Sequence, residues 1–330
     1  MTARISIIIP AWREEKVLAQ TLQSLDHMDY APGEYEVIVV AGGDETIQVA
    51  EEESMGKPWM RVIPQKQDSG KNQAIIDGLK ESTGELIVLL DADTMVEPSW
   101  LTELVKPILD GRFDIVNGVY NPITENWVSR FYLIQRVFLV ENRMWRFLHG
   151  AASIAFRKSM VDGRETQFLN PTVYRGVDHL LYIKAVEGGF KPGVSENAVV
   201  KTRFPTTIKD FLTTESRAAD TSIHLMRETD THDARFILSP LITLSLASTL
   251  TLPSLMKIPP LAFLTIFLMK NAYSFIKHFN NQGLRRLLNP LCYIQYMLLN
   301  IIAHTIFTIS IMKSILSLTR INKHFKGPRP

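Results

Sequence analysis

The first ninety residues alternate between two kinds of segment, and that alternation constrains the fold more than any other feature. Continuous β-favouring apolar runs occur at Ile5–Ile9, at Tyr35–Val40, in "WMRVIPQ" and in "ELIVLLDAD". Between them lie stretches with helical spacing. The first carries Val17, Leu18, Leu22 and Leu25 in a helix expected from about Glu14; then come "TIQVAEEES" and "GKNQAIIDGLKEST", the last of which Gly84 is placed to stop. Apolar runs without polar alternation are buried on both faces, which points to a mostly parallel sheet covered by helices. "FDIVNGVY" predicts one more strand. The expected class is α/β, and in such sheets ligands gather at the carboxyl ends of the strands.

Composition then changes along the chain. Up to residue 235 it is ordinary for a soluble domain; from Phe236 charge is sparse and apolar runs lengthen. Three stretches, 236–256, 258–276 and 291–312, approach the roughly 20 apolar residues a bilayer requires. The expected organisation is a domain over 1–235 and a membrane region over 236–330 with about three helices and a basic tail. Two further segments, 127–147 and 205–230, read as helices lying either in a core or at a membrane interface. The "MTARISIIIP" start has an apolar run of a few residues before Pro10, far short of a secretory leader, so the first domain is expected in the cytoplasm. Lys277, Arg285 and Arg286 on one side of the last apolar stretch and Arg320, Lys323, Lys326 and Arg329 on the other leave the side of the C-terminus open. A net charge of +2 gives no reason to expect nucleic acid, and the single cysteine, Cys292, excludes an intrachain disulfide and a cysteine-rich zinc site.

The apolar run "LIVLL" ends in Asp91-Ala92-Asp93. Two carboxylates at the mouth of a buried strand make a hard oxygen site that suits Mg²⁺ or Mn²⁺, which binds one or two carboxylates plus substrate phosphate oxygens. The triplet alone is weak, since solvated loop acids are common. "LLDADT" also resembles the Asp-x-Asp-x-Thr motif of haloacid-dehalogenase-type phosphatases, but there the motif follows the first strand, and here at least three strand-like segments precede it.

"SIIIPAWREE", "VIVVAGGDET", "SGKNQAIIDGL", "GELIVLLDADT" and "GVDHLLYIKAVEGGFK" stand in the order and approximate spacing of the family 2 glycosyltransferases, and the resemblance covers about residues 4 to 220. It implies the GT-A fold, a Rossmann-like nucleotide-sugar-binding domain, followed here by the transmembrane helices. It implies that Pro10, Ala11 and Glu14 line the nucleotide pocket, that Asp44 contacts base or ribose, that Gly70 and Lys71 approach the nucleotide, and that Asp91 and Asp93 hold the metal, Asp93 the more directly. "AGGDET" is shorter than the family's second loop. The resemblance makes Asp178 the general base, although Asp178 also reads as a helix N-cap before "HLLYIKAV". His149 and Gly150 match the segment ahead of the acceptor site, and His149 reads equally as a core histidine. "TESRAAD" retains only Arg217 of the Gln-x-x-Arg-Trp motif of processive members, and Arg217 would clamp the diphosphate.

The expected function is therefore a membrane-anchored, metal-dependent, inverting transfer of a sugar from a UDP- or GDP-linked donor to a lipid-linked acceptor, such as a polyprenyl or dolichyl phosphate or a lipid-linked glycan of the cell envelope. Membrane lipids would be the other partner. A processive polysaccharide synthase and an inactive GT-A membrane scaffold are the alternatives.

Overall fold

A computed structural model describes residues 4–31, 33–65, 69–141, 152–171, 177–228, 235–251, 258–279 and 290–324. Strand and helix alternate at first as the apolar pattern requires: β1 Ile5–Trp12, α1 Leu18–Leu25, β2 Tyr35–Gly42, α2 Asp44–Ser54, β3 Met60–Pro64, α3 Gly70–Glu81 and β4 Leu86–Leu90. The chain continues through β5 Met95–Val96, α4 Trp100–Leu109, β6 Ile115–Pro122, α5 Ser129–Glu141, β7 Ser153–Arg157, α6 Glu165–Phe168, α7 Val177–Glu187 and β8 Pro192–Thr202. The remaining elements are helical: α8 Ile208–Glu228, α9 Arg235–Thr251, α10 Ile258–Phe279 and α11 Pro290–His324.

The chain divides into two compact units, residues 1–123 with 143–204, and residues 124–142 with 205–330. The first unit holds one sheet in the order β3-β2-β1-β4-β7-β6-β8-β5. β1 pairs in parallel with β2 and β4, and β2 with β3. β7 runs antiparallel between β4 and β6. The strands of "ISIII", "VIVV" and "LIVLL" are buried on both faces, as their lack of alternation predicts, and Ile5, Ile7, Ile8 and Ile9 are fully buried. Each such side chain contributes about 1.5–3 kcal/mol of transfer free energy. One face packs Ile8, Ile38, Ile87 and Ile154 against Ala74, Ile75 and Leu79 of α3 and Leu181 of α7.

Two details differ from the sequence expectation. The first helix is regular from Leu18 rather than from about Glu14; Arg13 takes the left-handed conformation (φ 57°), and the Glu14 carbonyl accepts from Val17 and Leu18 N–H at 3.0 and 2.9 Å in the turn that leads into it. Gly84 is not the stop of α3, which ends at Glu81 with Ser82 already extended. Gly84 instead lies against β1: a β-carbon there would come 2.6 Å from the Ser6 amide nitrogen, and the Gly84 N–H donates to Ser6 Oγ at 2.8 Å. The same junction buries Glu36, whose carboxylate accepts from Ser6 Oγ, Thr83 N and Thr83 Oγ1, each at 2.7 Å. Burial opposes ionisation of Glu36, but those donors and Arg61 outweigh it and hold its pKa below the ordinary value.

The second unit is helical. Phe131 of α5 packs against Phe211 of α8 and stacks on Tyr296 of α11, at centroid distances of 5.2 and 5.5 Å. α5 therefore has buried aromatics, and the described part of the 127–147 segment is core-packed. Helices occupy all three late apolar stretches. Among the described residues, one stretch, Pro290–Ser314 with mean hydropathy 1.5, is long and apolar enough to cross a membrane. The described part of α9 has 17 residues, about 25 Å at 1.5 Å per residue.

Candidate active site

The carboxyl ends of β1, β2 and β4 lie side by side, since β1 is the neighbour of both others. The loop or turn after each strand determines the side chains presented there. After β4 the chain must leave the sheet, and it does so in a tight turn whose backbone is pinned at several points. Asp91 N–H donates to Ala152 O at 3.0 Å, Thr94 N–H to Asp91 O at 3.2 Å, and the buried Thr21 hydroxyl of α1 to Ala92 O at 2.7 Å. Ala92 and Thr94 are buried while Asp91 and Asp93 are partly buried, so the two acids stand at the edge of a packed base.

Lys71 answers one of them. Gly70, at the start of α3, has φ 82°, a conformation costly for any residue with a β-carbon, and it turns the helix entry so that Lys71 comes immediately after it. Lys71 Nζ lies 2.6 Å from Asp91 Oδ1. Asp93 has no such partner in the pair: burial, and then the charge of Asp91, push its pKa up, while Lys71 only partly offsets them. Glu14, from the loop after β1, is pushed up by burial, then by Asp93, Asp91 and Glu15, with Arg203 pulling the other way. Three carboxylates thus feel one another's charge, with Lys71 and Arg203 as the cations nearby. The β1–α1 loop is held at that place by Glu14 N–H donating to Thr46 Oγ1 at 2.9 Å and Arg13 N–H to Gly42 O at 3.0 Å.

Of the residues expected at the site, Glu14, Lys71, Asp91 and Asp93 are brought together electrostatically, and Pro10 and Ala11 form the end of β1, from which Glu14's loop departs. Asp44 is exposed in the first turn of α2 behind Gly43. Asp178 falls in the first turn of α7. Arg217 is exposed on α8, in the second unit. His149 and Gly150 lie outside the described residues. Arg203, just beyond β8, is not among the residues the sequence motifs single out, and no local pattern marks it; its charge acts on Glu14 although β8 is the fourth strand from β1 in the sheet order.

Among the described residues, no three of His, Cys, Asp and Glu are close enough to enclose a metal ion by themselves. The donor set nevertheless fits a hard divalent cation that takes its remaining ligands from a substrate. It offers two carboxylates from one turn at a strand end, and the pKa of Asp93 is raised first by burial and then by the charge of Asp91.

Comparison with known proteins agrees with this arrangement. Residues 6–164 match the family profile described as glycosyl transferase family 2. The chain is 30% identical over 206 residues to the dolichol-phosphate mannosyltransferase of Pyrococcus furiosus, a match covering 58% of this chain and 57% of that protein. It is 27% identical over 235 residues to an N-acetylglucosaminyltransferase of Mesorhizobium japonicum, covering 65% and 55%. The chain thus spans little more than half the length of these relatives. Among solved structures, the mannosyltransferase PcManGT of Pyrobaculum calidifontis, in complex with GDP-Man and Mn²⁺, superposes with a TM-score of 0.63 at 19% identity, covering 96% of this chain and 88% of that one. At that identity the likeness shows a common fold.

Proposed function

From a chain that carries a family 2 glycosyltransferase domain in the GT-A fold, we propose a membrane-anchored, metal-dependent, inverting glycosyltransferase that moves a sugar from a nucleotide-sugar to a lipid-linked acceptor. The observation that carries this reading is the Asp91–Asp93 turn at the end of β4, with Lys71 on one acid and burial raising the other.

The roles rest on charge and position. Asp91 and Asp93 would hold Mg²⁺ or Mn²⁺, which when bound supplies neutralisation of the negative charge on a leaving diphosphate. Lys71 and Arg203 offer cations to the same phosphates. Pro10, Ala11, Glu14, Asp44 and Gly70 belong to the nucleotide side of the pocket. Where the acceptor is a lipid-linked glycan, Asp178 takes the proton of its hydroxyl as that oxygen bonds to the anomeric carbon; a polyprenyl phosphate attacks through an oxygen that is already ionised. The bond from that carbon to the diphosphate breaks on the opposite face, and the configuration inverts. General-base assistance of this kind is worth about 10² to 10⁴ in rate.

The lipid acceptor is supported by two observations. The Pyrococcus furiosus relative is named for a dolichol-phosphate substrate. The helical unit presents Leu244, Ile266, Met269, Leu291 and Ile294 to its surface and includes the long apolar stretch of α11. Large apolar side chains exposed together are characteristic of a surface that meets lipid or protein. The reading places the protein in the cell membrane with its sheet domain in the cytoplasm.

The test is donor hydrolysis. Detergent-solubilised full chain is incubated with UDP- and GDP-sugars in Mn²⁺, Mg²⁺ or chelator, and free nucleotide is measured together with transfer to a polyprenyl phosphate. Metal-dependent release from one donor, raised by the lipid, supports the reading. Folded protein that neither binds nor cleaves any donor in the presence of metal contradicts it.

A further inference from the structure

We propose that the helical unit contains a second binding site, which takes a neutral polyhydroxylated group no larger than about one sugar ring. A cavity of about 150 Å³ lies wholly within that unit, lined by Gln135 of α5, Glu215 of α8, Ser239 of α9 and Asn300 and His304 of α11. A single buried water needs only about 10–15 Å³ on a comparable measure, so the space suits something larger than one solvent molecule.

Its lining is costly where it stands. Asn300 and His304 sit near the middle of Pro290–Ser314, an otherwise apolar helix. Ser239 of α9 is fully buried and His304 nearly so. Polar groups in such a setting need partners, and in a helix that meets a bilayer they mark a ligand path more often than a structural accident. Two of them are already oriented by the protein. Ser239 Oγ and His304 Nδ1 are 2.8 Å apart, and Tyr132 donates its hydroxyl to Glu215 Oε1 at 3.0 Å. Partners of this kind hold a binding group in one geometry instead of leaving it to wander.

The chemistry of the lining selects the ligand class. No lysine or arginine is among the residues that line the cavity, and Glu215 adds a carboxylate, so a phosphate would meet repulsion without compensation. An apolar group would make no use of the polar atoms that Gln135, Glu215 and Asn300 bring to the cavity. Two amides, an imidazole, a hydroxyl and a carboxylate supply both donors and acceptors at short range, which is what a set of ligand hydroxyls requires, each able to give one hydrogen bond and accept others. Such a group could be the headgroup of a glycolipid or glycerolipid, or a free sugar or glycerol.

Calorimetric titration separates these. The full chain is prepared in lauryldimethylamine oxide, whose headgroup is neither sugar, glycerol nor phosphate. Titrants are glycerol, methyl glucoside, dihexanoyl glucosyl glycerol and dihexanoyl phosphatidate. Each is run on wild type, Asp93→Ala, Asn300→Leu and Gln135→Leu, with folding checked by circular dichroism. The expected result is binding of at least one neutral polyol that persists in Asp93→Ala, as it must if the donor site is not involved. That binding weakens about tenfold or more in each leucine variant, the loss of one buried hydrogen bond to a ligand. Gln135, on a different helix, carries the test if Asn300→Leu does not fold. Binding of the lipid form alone identifies a headgroup; binding of the free compounds as well identifies a soluble polyol. No binding of any neutral polyol, binding unchanged in the folded leucine variants, or preference for phosphatidate overturns the proposal.

Discussion

Lys71 Nζ stands 2.6 Å from Asp91 Oδ1, while Asp93, two residues along the same turn, is left with its ionisation opposed by burial and by Asp91. The turn thus has one compensated acid and one that is not, and this asymmetry assigns different work to the two.

Replacing Lys71 by glutamine removes the cation from Asp91 and from any phosphate that approaches it. Charge-assisted hydrogen bonds are worth about 1.5–3 kcal/mol. Nucleoside diphosphate should therefore bind about tenfold or more weakly to Lys71→Gln in calorimetry. Unchanged affinity would remove Lys71 from the donor site.

Asp93→Asn should raise the stability of the metal-free protein while abolishing its use of metal. The direction of the shift gives the sign. A carboxyl whose folded pKa is raised contributes stability that is full below its unfolded pKa and is lost as pH rises through the folded value. At neutral pH Asp93 is therefore a cost, and removing its charge should stabilise the apo protein by about 0.5–2 kcal/mol, the usual yield of relieving a strained functional site. Chemical denaturation at pH 7 and again near pH 4 checks this: the gain should shrink at the lower pH.

Glu36 behaves in the opposite sense. Its folded pKa is lowered, so its contribution is present above the unfolded pKa and is lost as pH falls through the folded one. Glu36→Gln, which keeps the shape but lacks the charge that Ser6, Thr83 and Arg61 serve, should cost about 1–3 kcal/mol at pH 7 and much less at acidic pH, read from denaturation midpoints.

Much of this was legible in the sequence because the strands announce themselves. Runs such as "ISIII" and "LIVLL" leave no solvent face, so a covered parallel sheet accommodates them, and the acid pair had to fall at a strand end. Asp91, Asp93, Lys71 and Glu14 are within a few residues of such ends. Arg203 was not legible, because it reaches Glu14 from beyond β8, a strand far from β1 in both the sequence and the sheet order, and no local pattern encodes that approach. Gly84 misleads for a related reason. A glycine after a helix reads as its stop, whereas here it permits close contact with Ser6 on a distant strand. The cavity among α5, α8, α9 and α11 was equally hidden, since Gln135 and Asn300 are 165 positions apart.

Asp178→Asn should reduce sugar transfer by about 10² to 10⁴ while leaving metal-dependent donor binding near wild type. Single-turnover transfer and equilibrium binding, measured on one preparation, separate the two. Equal loss of both would make Asp178 a donor-site or structural residue.

The most direct test of the central claim, that the Asp91–Asp93 turn binds a divalent ion together with the donor diphosphate, is a Mn²⁺ titration monitored by electron paramagnetic resonance, on wild type and Asp93→Asn, with and without nucleoside diphosphate. The account predicts weak Mn²⁺ binding to wild type alone, much tighter binding once the diphosphate is added, and loss of that enhancement in a folded Asp93→Asn. Enhancement that survives the substitution would contradict it.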